Sequence, residues 1–319
     1  MLTLIFNNCI MVKKKGGILM EILNTKNLTK TYKKKNAVSN LNMSINKGDI
    51  YGFIGKNGAG KTTTIKMIVG LAAPTSGEFT LFESKSLNQG RRKIGTVIEA
   101  PAFVPNLTAR QNMLIQWKLL GNKNPAIIDE MLNLVGLDYV GKKKVKNFSL
   151  GMKQRLGIAM TLMGEPEFLV LDEPTNGLDP KGIVEVRELL QKLNEERGLT
   201  ILISSHILSE LAKLATRIGI IDDGVLLEEF SIDELDERCK SKLVVLVDNT
   251  EKAKDILAEQ LNLNDYKVID ANTIEIYDKG VDSGTINTTL AKNDVVVNSI
   301  STSHADLEEY FLNVIKGGK

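Results

Sequence analysis

Cysteine, long apolar runs and an excess of charge of either sign are all scarce in this sequence. Its only two cysteines, Cys9 and Cys239, stand far apart and in no metal or redox spacing. That excludes a disulfide framework and suits a reducing compartment. No stretch reaches the roughly 18 uninterrupted apolar residues that a membrane-spanning helix needs, so any membrane process it serves must use another chain to do the spanning. The 41 basic and 39 acidic residues nearly cancel, to +2, so bulk electrostatics nominate neither a nucleic acid nor a membrane surface. Lysine runs at 13–15, 33–35 and 142–144 read as solvated loops rather than polyanion patches. What is present is a globular balance: 43% hydrophobic and 25% charged residues can bury a core, which a disordered chain cannot. A length of 319 residues allows about two domains.

The most informative stretch is Gly55-Lys56-Asn57-Gly58-Ala59-Gly60-Lys61-Thr62-Thr63. It fits G-x-x-x-x-G-K-[ST] without a gap. An apolar run at 50–54 precedes it and reads as a buried strand; residues 64–69, stopped by Gly70, read as a helix. Strand, glycine-rich turn and helix form the setting a phosphate-binding loop requires. Glycines let the backbone turn tightly, so that successive N–H groups and the helix N-terminus converge on phosphate oxygens. Lys61 is then expected to reach the β- and γ-phosphates, and the Thr62 hydroxyl to ligate Mg²⁺. These residues specify a nucleoside triphosphate site.

Taken in order, the chain opens with residues 1–19, whose weakly apolar start precedes its lysines, the reverse of a signal peptide. Lys15-Gly16-Gly17 reads back as a purine-rich AAA-GGA-GGA a few bases before the ATG of Met20. It resembles a translated ribosome-binding site, so 1–19 is expected to be a non-native or disordered leader. From Met20, apolar residues alternate through Ile22, Leu23, Leu28, Val38, Leu41, Met43 and Ile45, as in short antiparallel strands. Tyr32 follows the first of them and could stack on an adenine face or simply pack. Over about 100–164 a helical insertion is expected: a capping box at Thr108-Ala109-Arg110-Gln111, a second helix at 125–135 and a third from Ser149 to Gly164.

The run Phe168-Leu169-Val170-Leu171-Asp172-Glu173 is continuous rather than alternating, the mark of a parallel strand covered on both faces, and it ends in two acids. Asp172 is placed to hold Mg²⁺, and Glu173 to polarise the attacking water. Asp179-Pro180 is a helix start with Asp as N-cap and Pro at the first position. A strand at 200–203 ends in Ser204-Ser205-His206, a helix is expected to about 216, and a strand at 218–221 leads into a hairpin at Asp223-Gly224. From 243 onwards the order strand, helix, strand, strand, helix, strand is that of the split βαβ unit. A last helix carries Leu307, Tyr310, Phe311 and Val314 on one face.

One further segment, Phe148-Ser149-Leu150-Gly151-Met152-Lys153-Gln154-Arg155, offers a hydroxyl, a glycine for close approach and a helix N-terminus. It resembles the signature usually written LSGGQ in ATP-binding cassette proteins, keeping Ser149 and Gly151 but carrying Leu150 and Met152. With the phosphate loop, the acidic strand end, Asp179 and His206 in that order, about two-thirds of the chain resembles an ATP-binding cassette ATPase. The resemblance implies an α/β, P-loop fold over 20–232: a mixed sheet core with an antiparallel β subdomain and a helical insertion. The strand and helix order beyond it adds a small α+β domain at 240–319. It also implies that two subunits dimerise head to tail around ATP. One subunit would supply Tyr32, Gly55, Asn57, Gly58, Gly60, Lys61, Thr62 and Thr63; the other would supply Ser149, Gly151 and Asp179. Thr62, Glu99 and Asp172 would hold Mg²⁺, and Glu173 and His206 would serve catalysis.

Most cassettes carry glutamine where this chain has Glu99. Glu99-Ala100-Pro101, Pro105-Asn106-Leu107, the signature segment and the ending Leu307-Glu308-Glu309-Tyr310-Phe311 resemble the ATP-binding subunits of bacitracin and lantibiotic exporters. That implies a second ATPase subunit and an integral membrane permease as partners, no nucleic acid, and a cytoplasmic place on the inner face of the membrane. Phe103 and Val104 are candidates for docking the permease or for packing against Trp117. The alternatives are a cassette ATPase of another drug, ion or lipid exporter, or a soluble cassette acting on ribosomes or DNA. The latter usually carries paired cassettes, coiled coils or zinc motifs, which this sequence lacks.

Overall fold

Three apolar runs of β-branched and large residues set the frame, because each is buried on both faces and can pair only inside a sheet. The computed structural model describes residues 20–99, 101–238, 242–278, 282–303 and 307–317. The expected leader at 1–19, both cysteines and Ala100 lie outside the described residues. In chain order the elements are β1 (Glu21–Tyr32), β2 (Lys35–Leu41), β3 (Ser44–Asn46), β4 (Ile50–Ile54), α1 (Lys61–Val69), β5 (Ser76–Leu81), α2 (Leu87–Arg91), β6 (Ile94–Val97), α3 (Ala109–Leu119), α4 (Ala126–Leu134), α5 (Leu150–Leu162), β7 (Phe168–Leu171), α6 (Pro180–Arg197), β8 (Thr200–Ser205), α7 (Leu208–Ala212), β9 (Arg217–Asp222), β10 (Val225–Ser231) and α8 (Ile232–Arg238). Then follow β11 (Lys242–Val247), α9 (Thr250–Leu261), β12 (Tyr266–Val268), β13 (Thr273–Ile276), α10 (Ser283–Lys292), β14 (Val297–Ser303) and α11 (Leu307–Gly317).

The central sheet has the order β10-β9-β4-β8-β7-β6. Its strands from β9 to β6 run parallel, and β10 folds back on β9 as an antiparallel hairpin. The parallel strands end together, so the loop after β4, the acids after β7 and the histidine after β8 meet at one carboxyl edge. Ligands of open α/β sheets bind at that edge. A second, antiparallel sheet joins β1 to β2, β3 and β5 and shares a core with β4 and α1. The fold is therefore the expected α/β P-loop one, with its antiparallel part at the N-terminal end.

The helical insertion starts where the capping box places it: Thr108 accepts from the Gln111 N–H, and the Gln111 side chain accepts from the Thr108 N–H. α5 begins on the Ser149 cap and α6 on the Asp179 cap with Pro180 at its first position. The helix expected to reach about 216 is shorter. It stops at Ala212, because the Thr216 N–H is drawn to the Ile50 carbonyl and the Thr216 carbonyl accepts from Ile232 N–H, tying that stretch to sheet and loop.

The last sheet has the order β12-β13-β11-β14, antiparallel throughout, with α9 and α10 over one face and a separate core around Val245, Leu257, Ile274 and Leu290. This is the split βαβ arrangement. α11, expected as its closing helix, leaves it: Phe311 and Ile315 are buried in the core of the preceding unit. Among the described residues, no helix is long and apolar enough to cross a membrane.

Candidate active site

Residues 55–60 have no regular structure, and two of their glycines, Gly55 and Gly60, occupy places where no side chain fits. A Cβ on Gly55 would lie 2.3 Å from the Ile221 carbonyl oxygen. Gly60 has φ +112°, in the region that favours glycine, and a Cβ there would lie 2.6 Å from the Ala37 carbonyl oxygen. The loop thus wraps tightly between β2, β4 and β9, with Asn57 and Gly58 exposed at its lip and Gly60 buried beneath. α1 opens directly from it, and the N–H groups of a helix's first turn have no intrahelical partner. They point to where an anion would sit. Thr63 is half-buried in that turn, beside Thr62.

Lys61, 5% exposed, turns its ammonium back into the loop, donating to the carbonyls of Gly55 and Lys56, and lies 3.1 Å from Glu173 Oε1. The Thr62 hydroxyl donates to Asp172 Oδ2 at 2.8 Å. Asp172, also 5% exposed, accepts at its other oxygen from Ser204 Oγ at 2.6 Å. Ser204 in turn accepts from the Glu173 N–H at 2.8 Å. Glu173 adopts φ +49°, a conformation that non-glycine residues seldom take. Its Oε2 lies 2.9 Å from His206 Nδ1, while Oε1 is buried against the Lys61 ammonium, 3.1 Å away. A carboxylate so restrained on three sides becomes suited to accept a proton from water once Lys61 turns to a phosphate.

A cleft of about 360 Å³ opens over these groups, lined by Thr62, Asp172, Glu173, Glu99, Phe103 and Gln154 among others. Glu99 reaches the cleft from a backbone at φ +61°. Its carboxylate is ion-paired with Lys66 on α1 at 2.9 Å, and that hydrogen bond holds Glu99 below the usual carboxylate range and raises the Lys66 ammonium. Thr62 and Asp172 supply the oxygen ligands that a hard divalent cation prefers. No group of three or more His, Cys, Asp or Glu capable of holding a metal occurs among the described residues. These donors therefore fit Mg²⁺ only if phosphate and water complete its shell, as it commonly requires.

Not all the expected residues converge. Tyr32, at the end of β1 and about half exposed, lies under the Lys30 ammonium, 5.0 Å from the ring centroid. Ser149, Gly151 and Asp179 form a second group where the starts of α5 and α6 meet. Ser149 accepts from the Met152 N–H, Asp179 accepts from the Gly182 N–H, and a Cβ on Gly151 would touch Gly182. Ser149 and Asp179 are exposed, and no described contact links this group to the phosphate loop.

Three participants were not singled out from sequence. Ser204 sits between both acids, and the alternation of side chains along β8 is the signal that separates it from Ser205. Lys66 pairs with Glu99 across 33 residues, which no local pattern reveals. Gln154 is buried in the cleft wall with Oε1 unpartnered.

Comparison with known proteins agrees with this geometry. A family model described as "ABC transporter" matches residues 38–176. The bacitracin transport ATP-binding protein BcrA of Bacillus licheniformis is 46% identical over 300 residues, 93% of this chain and 98% of that protein. The lantibiotic transport ATP-binding protein SrtF of Streptococcus pyogenes is 48% identical over 213 residues, 66% of this chain and 92% of its own length. A solved dimeric ATP-binding cassette in a post-hydrolysis state, bound to ADP and Pi, is 30% identical, with a TM-score of 0.58 over 66% of this chain and 98% of that one. With a phosphate loop and two acids at one sheet edge, and relatives matched almost end to end, the chain belongs to the ABC transporter family, as one of its ATP-binding, ATP-hydrolysing subunits.

Proposed function

We propose that the chain powers a bacterial exporter of peptide antibiotics of the bacitracin or lantibiotic type, as a pair of identical subunits beneath a separate membrane permease. The observation that carries the transport assignment is the 46% identity to a bacitracin transport ATP-binding protein over 98% of its length, well beyond the family match at 176. The subunit then sits on the inner face of the cell membrane. Val104, exposed, and Phe103, which packs half-buried at the cleft, offer the permease a foothold beside Glu99. Residues 20–232 form the ATPase unit in this reading, and 240–319 an accessory unit.

For hydrolysis, Tyr32 stacks on adenine, and the loop from Gly55 through Asn57, Gly58 and Gly60 to Thr63 orients the phosphates through its N–H groups. Lys61 leaves its own carbonyls for the phosphate oxygens. Thr62 and Asp172 would hold Mg²⁺, with Glu99 joining from the cleft wall; when bound, the ion would supply charge neutralisation at the phosphoryl group. Glu173 takes the proton of the attacking water at Oε1, while His206 fixes Oε2 and Ser204 fixes the backbone. Ser149, Gly151 and Asp179 complete the site of a second copy. The exposure of Ser149 and Asp179 favours a two-fold pair, in which each surface serves both subunits alike.

Deletion of the gene tests this directly. The strain is expected to become hypersensitive to bacitracin-like or lantibiotic peptides, with resistance restored by the wild-type gene and not by Glu173→Gln. Unchanged inhibitory concentrations across both peptide groups would reject the transport assignment.

A further inference from the structure

The histidine at the site is carried by one of the weakest elements of the fold. His206 leads straight into α7, which spans five residues and has no side-chain hydrogen bond at its N-cap, Ile207. A helix this short has almost no stability of its own, so packing decides where it lies. On one side that packing is β4, the strand that feeds the phosphate loop. A Cβ on Gly52 would lie 3.2 Å from both Ala215 Cβ and Leu211 Cδ1, so the α7 segment rests directly on bare backbone. On the other side is α11, nearly a hundred residues further along the chain.

α11 is fixed there by its own chemistry. Phe311 (7% exposed) and Ile315 (2%) are buried in the core that also contains Leu208 and Leu211 of α7. Tyr310 donates its hydroxyl to Glu228 Oε2 at 2.7 Å and meets the Phe230 ring edge to face, with centroids 5.9 Å apart. The helix is thereby tied to β10 as well as to α7. Beyond α7 the path is short: Ser205 accepts at its carbonyl from the Gly55 N–H and at its hydroxyl from the Ile207 N–H, and His206 between them reaches Glu173.

We infer that α11 is a positioning element of the ATPase site, in which Phe311 and Ile315 clamp α7 against β4 and so hold His206 in register with Glu173. This rests on the proposed role of His206 in hydrolysis. It makes the last helix of the chain a working part of the ATPase rather than of the sheet unit that precedes it, so whatever displaces that unit also acts on turnover.

A double-mutant cycle on the purified full-length chain tests the inference. Phe311→Ala is expected to lower kcat about tenfold, with KM for ATP changed by less than about twofold, because the phosphate loop itself is untouched. In a His206→Ala background the same substitution is expected to change kcat by less than about twofold, since the group it positions is gone. Equal losses in both backgrounds, or no loss in either, would overturn the inference and leave the site reading intact. A His206→Ala variant with wild-type kcat would instead overturn the site reading, and the inference with it. If Phe311→Ala does not fold, Phe311→Leu and Tyr310→Phe carry the same cycle with smaller expected losses.

Discussion

Replacing Ser204 by alanine removes one oxygen from the centre of the site. Ser204 is fully buried, donates to Asp172 at 2.6 Å and accepts from the Glu173 N–H at 2.8 Å. Losing a hydrogen bond to a charged carboxylate costs about 1.5–3 kcal/mol, and leaving a buried N–H unpaired costs about 1–3 kcal/mol. The two effects overlap, because water can enter from the cleft that Asp172 and Glu173 line. A net loss of about 2–4 kcal/mol follows, equivalent to a fall in Tm of roughly 5–15 °C for a unit of this size. Turnover suffers separately. The Ser204 hydroxyl is what secures the Glu173 backbone at its unusual φ of +49°, and a misplacement of about 1 Å at a reacting group costs on the order of 100-fold. Phosphate-release kinetics on Ser204→Ala are therefore expected to show kcat reduced about 10- to 100-fold, with binding of a fluorescent ATP analogue nearly unchanged. Wild-type kcat and melting temperature together would refute the idea that this hydroxyl organises both acids.

Two other outcomes are expected. In Glu99→Gln, the carboxylate paired with Lys66 is replaced by a neutral amide, so hydrolysis is retained but half-saturation in Mg²⁺ moves several-fold upward; an unchanged Mg²⁺ titration would count against a metal-contacting Glu99. In the C-terminal sheet, Tyr277 donates to Glu275 at 2.6 Å, which pushes its phenol up to about 12. The folded state therefore holds this proton more tightly than the unfolded one, and the resulting stability is complete below pH 10 and lost between pH 10 and about 12. Alkaline absorbance titration should show one late tyrosine moving earlier in Glu275→Gln, and a curve insensitive to that change would exclude the pairing.

The parts of the fold written in contiguous residues were legible in the sequence. The phosphate loop declares itself because the strand before it, its glycines and the helix after it are neighbours along the chain. Thr108 with Gln111, and Asp179 with Pro180, mark helix starts for the same reason. The solid apolar run at 168–171 announced a strand covered on both faces, and the strand–helix alternation after 243 announced the last sheet. What escaped depends on contacts between distant residues. Lys66 and Glu99 meet only when β6 and α1 are packed, and Ser204 acquires its task only when β7 lies beside β8. The shortened α7 reflects Thr216 being claimed by β4, which no helical periodicity records. The docking of α11 on the first core is of the same kind: its apolar face is visible in sequence, but not the surface it covers.

In the proposed pair each subunit holds half of two ATP sites, with Lys61 and Glu173 serving one and Ser149, Gly151 and Asp179 the other. Light scattering on the purified Glu173→Gln chain, with and without ATP and Mg²⁺, distinguishes this pair from a self-contained site. A monomer that becomes a stable dimer on adding ATP, and fails to do so when Ser149 is also replaced by a bulky residue, is the expected result. A Glu173→Gln chain that binds ATP tightly yet stays monomeric would rule out a site shared between two subunits.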